Sequence, residues 1–231
     1  MAGSGEFIQL PEMGETLYSF PEALLQGTVI DRPNRFLVNV DTGGKSLPCH
    51  LHDPGRLREL IFPGNKVLIR KTDGIRTSHS VTAALDNHEW VLTDTRVHSR
   101  IAATFLPSGI RKEVAIGNHR IDFQWNDTLI EAKGCTMLKG KTATFPDAPT
   151  KRGREHLELL RRHIASGGRS ALIVLTFRKD AQCFVPNSET DPDFSREFFG
   201  AINDGVEVFI PRLYFEDGNI RFHGQIGVCG H

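Results

Sequence analysis

The segment Arg120-Ile-Asp-Phe-Gln-Trp-Asn-Asp-Thr-Leu-Ile-Glu-Ala-Lys-Gly134 decides how the chain is read. Apolar and polar residues alternate on both sides of Asn126-Asp127, the pattern of a β-hairpin closed by a polar turn. A loop centred on those two residues pairs positions whose numbers sum to 253, which sets Asp122 opposite Glu131. Ile121, Phe123 and Trp125 then share one face with Ile130 and Ala132, and the other face carries Asp122, Gln124, Glu131 and Lys133. Two carboxylates facing each other across a strand pair repel, so a chain that places them there needs a cation between them.

The stretch before it supplies a third acid. Lys112-Glu-Val-Ala-Ile116 leads into Gly117-Asn118, a two-residue signal for a tight hairpin. With that turn the pairing sum is 235, and Glu113 stands opposite Asp122. Glu113, Asp122 and Glu131 are then expected to form one row across three strands, neighbours about 4.8 Å apart. Lys133 lies on the same face. Three hard oxygen ligands beside one ammonium suit Mg²⁺ or Mn²⁺ and a phosphate ester. Taken alone, the Asp-x8-Glu-x-Lys spacing also fits a hairpin whose polar face is merely solvated, so context must decide.

The 231 residues can hold one large domain or two small ones. Lys plus Arg number 28 and so do Asp plus Glu, so no overall charge advertises a nucleic-acid partner and local patches must be read instead. Cys49, Cys135, Cys183 and Cys229 are widely separated and form no CxxC pair, which points to ordinary thiols rather than a zinc site or a disulfide framework. No run approaches the ~18 apolar residues of a membrane span, and the first residues lack a signal pattern. A cytoplasmic protein with no membrane partner is expected.

Residues 24–93 hold short β-like runs: Gly27–Asp31, Arg35–Asp41, Lys45–His52, Lys66–Lys71, Arg76–Leu85 and Trp90–Leu92. A short helix is expected between them, with Asp53 as its cap, Pro54 at its first position and Leu57, Leu60 and Ile61 as its apolar stripe. Such a set favours a compact barrel of the oligonucleotide-binding type. Arg32, Arg35, Arg56, Arg58, Arg70, Lys71 and Arg76 lean basic and can meet phosphates, or can equally protect strand edges. His50 and His52 share a strand face with no third metal ligand evident nearby.

Residues 94–228 read differently. Asp94 can cap a helix to about Leu106, with Val97, Ile101 and Phe105 on one stripe. The three strands above follow, then a polar loop over 134–150 that is too long for a simple turn. A helix from about Thr150 to Ser166 comes next, with Leu157, Leu160 and Ile164 apolar and Gly167-Gly168 as its stop. Ser170–Arg178 is a continuous apolar run, the mark of a strand buried on both faces. A helix capped by Asp191 and strands near Val206–Phe215 and Ile220–Val228 complete an α/β domain with a mixed sheet. Lys151, Arg152 and Arg154 crowd the first turn of the long helix, where the macrodipole disfavours them. With Lys139 and Lys141 upstream, a bound phosphate backbone would offset that arrangement.

The α-β-β-β-α-β order with Asp122 and Glu131-Ala-Lys133 on neighbouring strands resembles the PD-(D/E)xK nuclease core. More specifically, the chain resembles the sugar fermentation stimulation protein (SfsA) family, through Arg32-Pro-Asn-Arg-Phe36, His52-Asp-Pro-Gly-Arg-Leu57, Arg120-Ile-Asp-Phe123, Phe145-Pro-Asp-Ala-Pro-Thr-Lys-Arg-Gly153 with His156-Leu157, and Gly205-Val-Glu-Val208. That resemblance implies an N-terminal OB-like barrel over 24–93 and a C-terminal PD-(D/E)xK-like mixed sheet flanked by helices over 94–228. It also implies binding of DNA with little sequence preference and a link to regulation of sugar-utilisation genes. Asp122 and Glu131 would hold Mg²⁺ or Mn²⁺ with the carbonyl of Ala132, Lys133 would orient the attacking water, and Glu113 would be the additional acid. Arg154, Glu155 and His156 lie in the helix that supplies auxiliary residues in such folds. Many relatives have Asn-Thr-Gly where this chain has His52-Asp-Pro-Gly55, and Val-Lys-Asn where it has Ala132-Lys133-Gly134.

The expected function is therefore a Mg²⁺- or Mn²⁺-dependent nuclease, contacting DNA through Arg32, Arg35, Arg56, Lys139, Lys141, Lys151, Arg152 and Arg154. A homo-oligomer is compatible with it. The competing reading is a non-catalytic DNA-binding regulator on a nuclease scaffold, although no helix-turn-helix is visible. A hydrolase of small phosphorylated molecules comes third.

Overall fold

The structure is a computed structural model that describes residues 7–74 and 77–230. Arg76, expected as the start of a strand and part of the basic leaning, lies outside the described residues. β1 (Thr16–Ser19) was not anticipated; it is followed by β2 (Leu24–Asn34), β3 (Leu37–Asp41), β4 (Ser46–His50), β5 (Lys66–Lys71) and β6 (His79–Asp86). These last five run β4-β3-β2-β5-β6, and a parallel β4–β6 pairing closes them into a barrel. Val29, Val38, Val40, Val67, Ile69 and Val81 are buried, as the alternation of a small barrel requires.

β7 (Glu89–Leu92) leads to a 3₁₀ turn (Thr95–Val97) and α1 (His98–Ala103). The Asp94 side chain accepts from the Arg96 N–H at the start of that turn. The helix ends short of the expected Leu106, yet Val97, Ile101 and Phe105 are all buried. β8 (Arg111–Ile116), β9 (His119–Trp125) and β10 (Thr128–Cys135) follow. The stretch expected as a long loop instead contains a hairpin, β11 (Met137–Lys139) and β12 (Thr142–Phe145), turned at Gly140 with φ +61°. Next come α2 (Lys151–Ala165), β13 (Arg169–Thr176), β14 (Cys183–Pro186), α3 (Pro192–Asn203), β15 (Glu207–Phe209), β16 (Pro211–Glu216), β17 (Asn219–Gln225) and β18 (Gly227–Val228). Thr150 and Asp191 cap α2 and α3 by accepting from Gly153 and Phe194 N–H.

β16 ties the two halves together. It pairs with β7 at Phe215–Trp90, with β13 at Arg212–Thr176 and with β17, so strand pairing runs unbroken from the barrel to β8. β10 and β13 lie parallel along their whole length. One core runs from the barrel through α1 to the near face of this sheet; a second fills the space between the far face, α2 and α3.

Three expectations are corrected. Residues 53–61 form turns rather than a helix. Leu57 takes φ +44°, Asp53 Oδ1 accepts from Gly55 N–H, and Asp147 from the other half accepts from Leu57 N–H at 3.0 Å. Side chains thus satisfy the amides a helix would have used; Leu57, Leu60 and Ile61 are nevertheless buried. Second, Cys183 and Cys229 form a disulfide, because β14 and β18 pair in parallel with Cys183 opposite Gly227. Spacing along the chain carried no trace of that pairing. Cys49 and Cys135 remain buried free thiols, pushed up to about 12 by burial. Third, Ile121 packs in the core beneath α2 while Phe123 packs in the barrel-side core, so the alternation expected along β9 breaks at Asp122. Among the described residues no helix is long and apolar enough to cross a membrane.

Candidate functional site

β9 and β10 keep the expected register, Trp125–Thr128, Gln124–Leu129 and Phe123–Ile130. The ladder stops there. Asp122 Oδ2 instead accepts from the Ala132 N–H at 2.9 Å, standing in for the backbone acceptor a regular strand would offer. A local break of this kind re-aims a side chain while keeping the strand in its sheet.

On β10, Glu131 lies beside Leu172 of β13 on the face covered by α2, and is 2 % exposed. A buried carboxylate must be paired, and Glu131 is paired through one oxygen. Its Oε1 accepts from Lys133 Nζ and, at 2.5 Å, from His156 Nδ1. Its Oε2 is buried and has no hydrogen-bond partner. His156 Nε2 accepts from Arg152 Nε at 3.3 Å, so the imidazole proton sits on Nδ1, the nitrogen that faces Glu131. Arg152 and His156 are one helical turn apart, which is why the two can meet. The His119 ring stands edge-on to His156 at 6.2 Å.

The two acids are pushed in opposite directions. Burial, followed by the charge of Glu131, raises Asp122 to about 6. Burial also works against ionised Glu131, but Lys133 and the His156 hydrogen bond together outweigh it and hold that carboxyl below its usual range. Glu131 is the committed anion, and Asp122 is the acid that a nearby positive charge would ionise.

Glu113 does not complete the row. Its φ is +53°, its side chain is more than half exposed, and it leans on Arg120 at 3.7 Å. A left-handed residue in a strand turns its side chain away from the direction that alternation dictates. It still adds to the negative field at Asp122. Among the described residues no group of three His, Cys, Asp or Glu is arranged to hold a metal ion. The donors that remain, the unpartnered Glu131 Oε2 and Asp122 beside it, are hard oxygens suited to a cation of the Mg²⁺ kind.

The basic residues divide. Arg32 is committed to the main chain, donating to the carbonyls of Arg35 and Gly55 at 2.9 and 2.8 Å and to that of Arg56. Arg154 binds both oxygens of Asp191, the cap of α3, and Lys139 pairs with Glu189 at 2.5 Å. Lys151 leans on Glu155 at 3.5 Å. Arg35, Arg56, Lys141, Lys151 and Arg152 are exposed. The awkward first turn of α2 is thus explained in part by Asp191 and Glu155 without any phosphate. The resemblance marked His156 only as lying in a helix that supplies auxiliary residues; its approach to Glu131 depends on how α2 packs on β10.

Residues 89–219 match the family described as the sugar fermentation stimulation protein RE domain, and residues 30–93 match the SfsA N-terminal OB domain. A sugar fermentation stimulation protein homolog of Saccharolobus solfataricus is 47 % identical, with 94 % of this chain and 90 % of that protein covered. The homolog of Thermoplasma volcanium is 46 % identical over 88 % of this chain and 94 % of its own length. The solved structure of Pyrococcus furiosus SfsA in complex with Ca²⁺ superposes with a TM-score of 0.85 over 93 % of this chain and 99 % of that one, at 24 % identity. With both halves matched in order and relatives this similar over nearly the full length, the chain belongs to the sugar fermentation stimulation protein (SfsA) family.

Proposed function

We propose that this protein hydrolyses DNA phosphodiesters with the help of Mg²⁺ or Mn²⁺ held at Asp122 and Glu131. The observation that carries the reading is Glu131: one oxygen clamped by Lys133 and His156, the other buried with no partner. A buried carboxylate oxygen left bare is costly, and a cation is the partner it lacks. The Ca²⁺ in the Pyrococcus furiosus relative supports a hard cation in this family.

A cation bound there would supply Lewis-acid polarisation of a phosphate and a more acidic water. The chain's own residues do the rest. Asp122 and Glu131 would hold the ion, with the Ala132 carbonyl as a further ligand. Lys133, fixed on Glu131 Oε1, keeps a positive charge next to the place where phosphoryl oxygens gain charge. His156, with its proton directed by Arg152, fixes the carboxylate so that Oε2 stays turned outward from the clamp. Exposed Lys141, Lys151, Arg35 and Arg56 can meet the DNA backbone without disturbing these bonds.

A second reading is favoured by the outward placement of Glu113, which leaves the acidic set short of one member. On that reading the protein binds DNA without cutting it. Supercoiled plasmid and short single strands, incubated with Mg²⁺, Mn²⁺ or EDTA, separate the two. Cation-dependent cleavage is expected, lost in Glu131→Gln and Lys133→Met while DNA retention survives. If parent and variants all retain DNA and none cuts under any cation, the binding-only reading replaces it.

A further inference from the structure

Opposite the acidic site in character is the outer face of the barrel around its second and third strands, β3 and β4. Phe36 sits in the turn just before β3, and its carbonyl accepts from the Leu51 N–H. Phe36 is 45 % exposed, so the residue is open to a ligand from solvent. The ring lies parallel to that of His50, 3° between planes and centroids 6.1 Å apart. His50 in turn meets His52 at 4.2 Å. His52 is pinned by its Nε2 contact with Ser80 Oγ at 3.0 Å, and burial drives it down to about 4, so at neutral pH it is an uncharged aromatic ring. Three rings therefore stand in sequence on one barrel face.

The row leads into a cavity of ≈ 490 Å³ lined by His50, His52, Thr72, Gly74, Thr77 and Arg96. Asp73 also faces it, which disfavours a phosphate inside and leaves a flat uncharged group as the natural occupant. Charge for a backbone lies at the edge instead: Arg35 is exposed, with its guanidinium 5.9 Å over the Phe36 ring. The Arg96 side chain is 43 % exposed although Asp94 holds it.

We infer that this face binds single-stranded DNA, stacking successive unpaired bases on Phe36 and His50 and admitting one into the cavity beside His52. Stacked rings flanked by cations are what a flexible strand needs, and duplex DNA, whose bases already stack on each other, cannot use them. OB-type barrels present oligonucleotide or oligosaccharide ligands at this same pair of strands and their adjoining loops. The cations at the rim select the nucleic acid over a neutral sugar chain. The inference rests on the proposal that DNA is the substrate, and adds to it the strand form that the protein takes up.

Fluorescence anisotropy in EDTA tests it, with a labelled twelve-nucleotide oligothymidine, the same length of abasic strand, and a twelve-base-pair duplex. The oligothymidine is expected to bind roughly tenfold more tightly than either of the others, and Phe36→Ala and His50→Ala are each expected to lose about tenfold for it. Phe36→Trp should keep the affinity and show tryptophan quenching on binding. Equal affinity for the abasic strand or the duplex, unchanged binding by Phe36→Ala, or displacement by a malto-oligosaccharide overturns the inference. Because EDTA silences the proposed hydrolysis, such a failure is read separately from the plasmid assay: cleavage that persists with a failed face leaves the metal site standing.

Discussion

Asp122 and Glu131 feel each other's charge but are driven to different protonation states. Asp122 is raised to about 6 in the folded protein, above its ordinary value, by burial and then by Glu131. For an acid shifted upward, the fold favours the protonated form; that stability is fully present below the unfolded value and is lost as pH rises through 6. That displacement is worth about 3 kcal/mol, all of it lost by pH 8. Asp122→Asn removes the charge and can still accept from the Ala132 N–H. Its unfolding midpoint in EDTA should exceed the parent's at pH 8, with the gap closing below pH 4; a gap independent of pH would contradict this account. At His156 the expected effect is on the cation. Removing the donor to Glu131 Oε1 frees that carboxylate to rotate, so His156→Ala should weaken Mn²⁺ binding roughly tenfold or more. His156→Gln, whose amide can donate, should recover part of it, as read by titration calorimetry.

At the level of elements, β10 is held from both faces. Glu131 and Lys133 point to α2, while Gly134 lies against α1. A Cβ at Gly134 would fall 2.2 Å from His98 Cε1, and the His98 ring is backed by Phe177 at 4.9 Å. That ring cannot easily retreat, which accounts for glycine after the motif lysine. Gly134→Ala is expected to destabilise the protein by about 1–3 kcal/mol in urea unfolding, and His98→Ala in the same chain should relieve most of the loss. If the single and double variants are equally unstable, the contact is not the cause. The elements were unevenly legible. α2 was readable from its apolar stripe and its glycine stop, and α3 from its Asp191 cap, all of them local signals. The turns at 53–61 were not, since Asp147, distant in sequence, takes the Leu57 N–H that a helix would have directed elsewhere. The disulfide was hidden for the same reason, being set by a parallel pairing of β14 and β18.

For the whole molecule, the question is what makes the barrel and the second sheet one body. Besides the β7–β16 pairing, Arg178 at the end of β13 is buried and reaches Asp86 of the barrel at 2.5 Å, while its Nε donates to the Thr136 carbonyl. Lys179 N–H adds a bond to Glu89 Oε1 at 2.6 Å. Arg178 is buried while Asp86 is partly exposed, so losing the arginine leaves an acceptor that water can reach and the Thr136 carbonyl without its donor, at about 1–3 kcal/mol. Arg178→Met should therefore lower the unfolding free energy read from urea titration by that amount, with Asp86→Asn adding little in the same background. Additive losses would show that the two side chains act independently.

What the sequence determined by itself was governed by neighbours a few residues apart: the strand runs of the barrel, the hairpin registers about Asn126-Asp127 and Gly117-Asn118, the Asp191 cap, and the buried strand β13. Those signals repeat at the period of the backbone. The tertiary structure alone decided the direction of each acid. Glu113 left the row through a left-handed φ, Asp122 exchanged a facing position for the Ala132 amide, and α2 brought His156 and Arg152 to Glu131. Alternation fixes which face a regular strand presents, but a break in alternation and the packing of a helix depend on contacts with chain far away, and these leave no period to read.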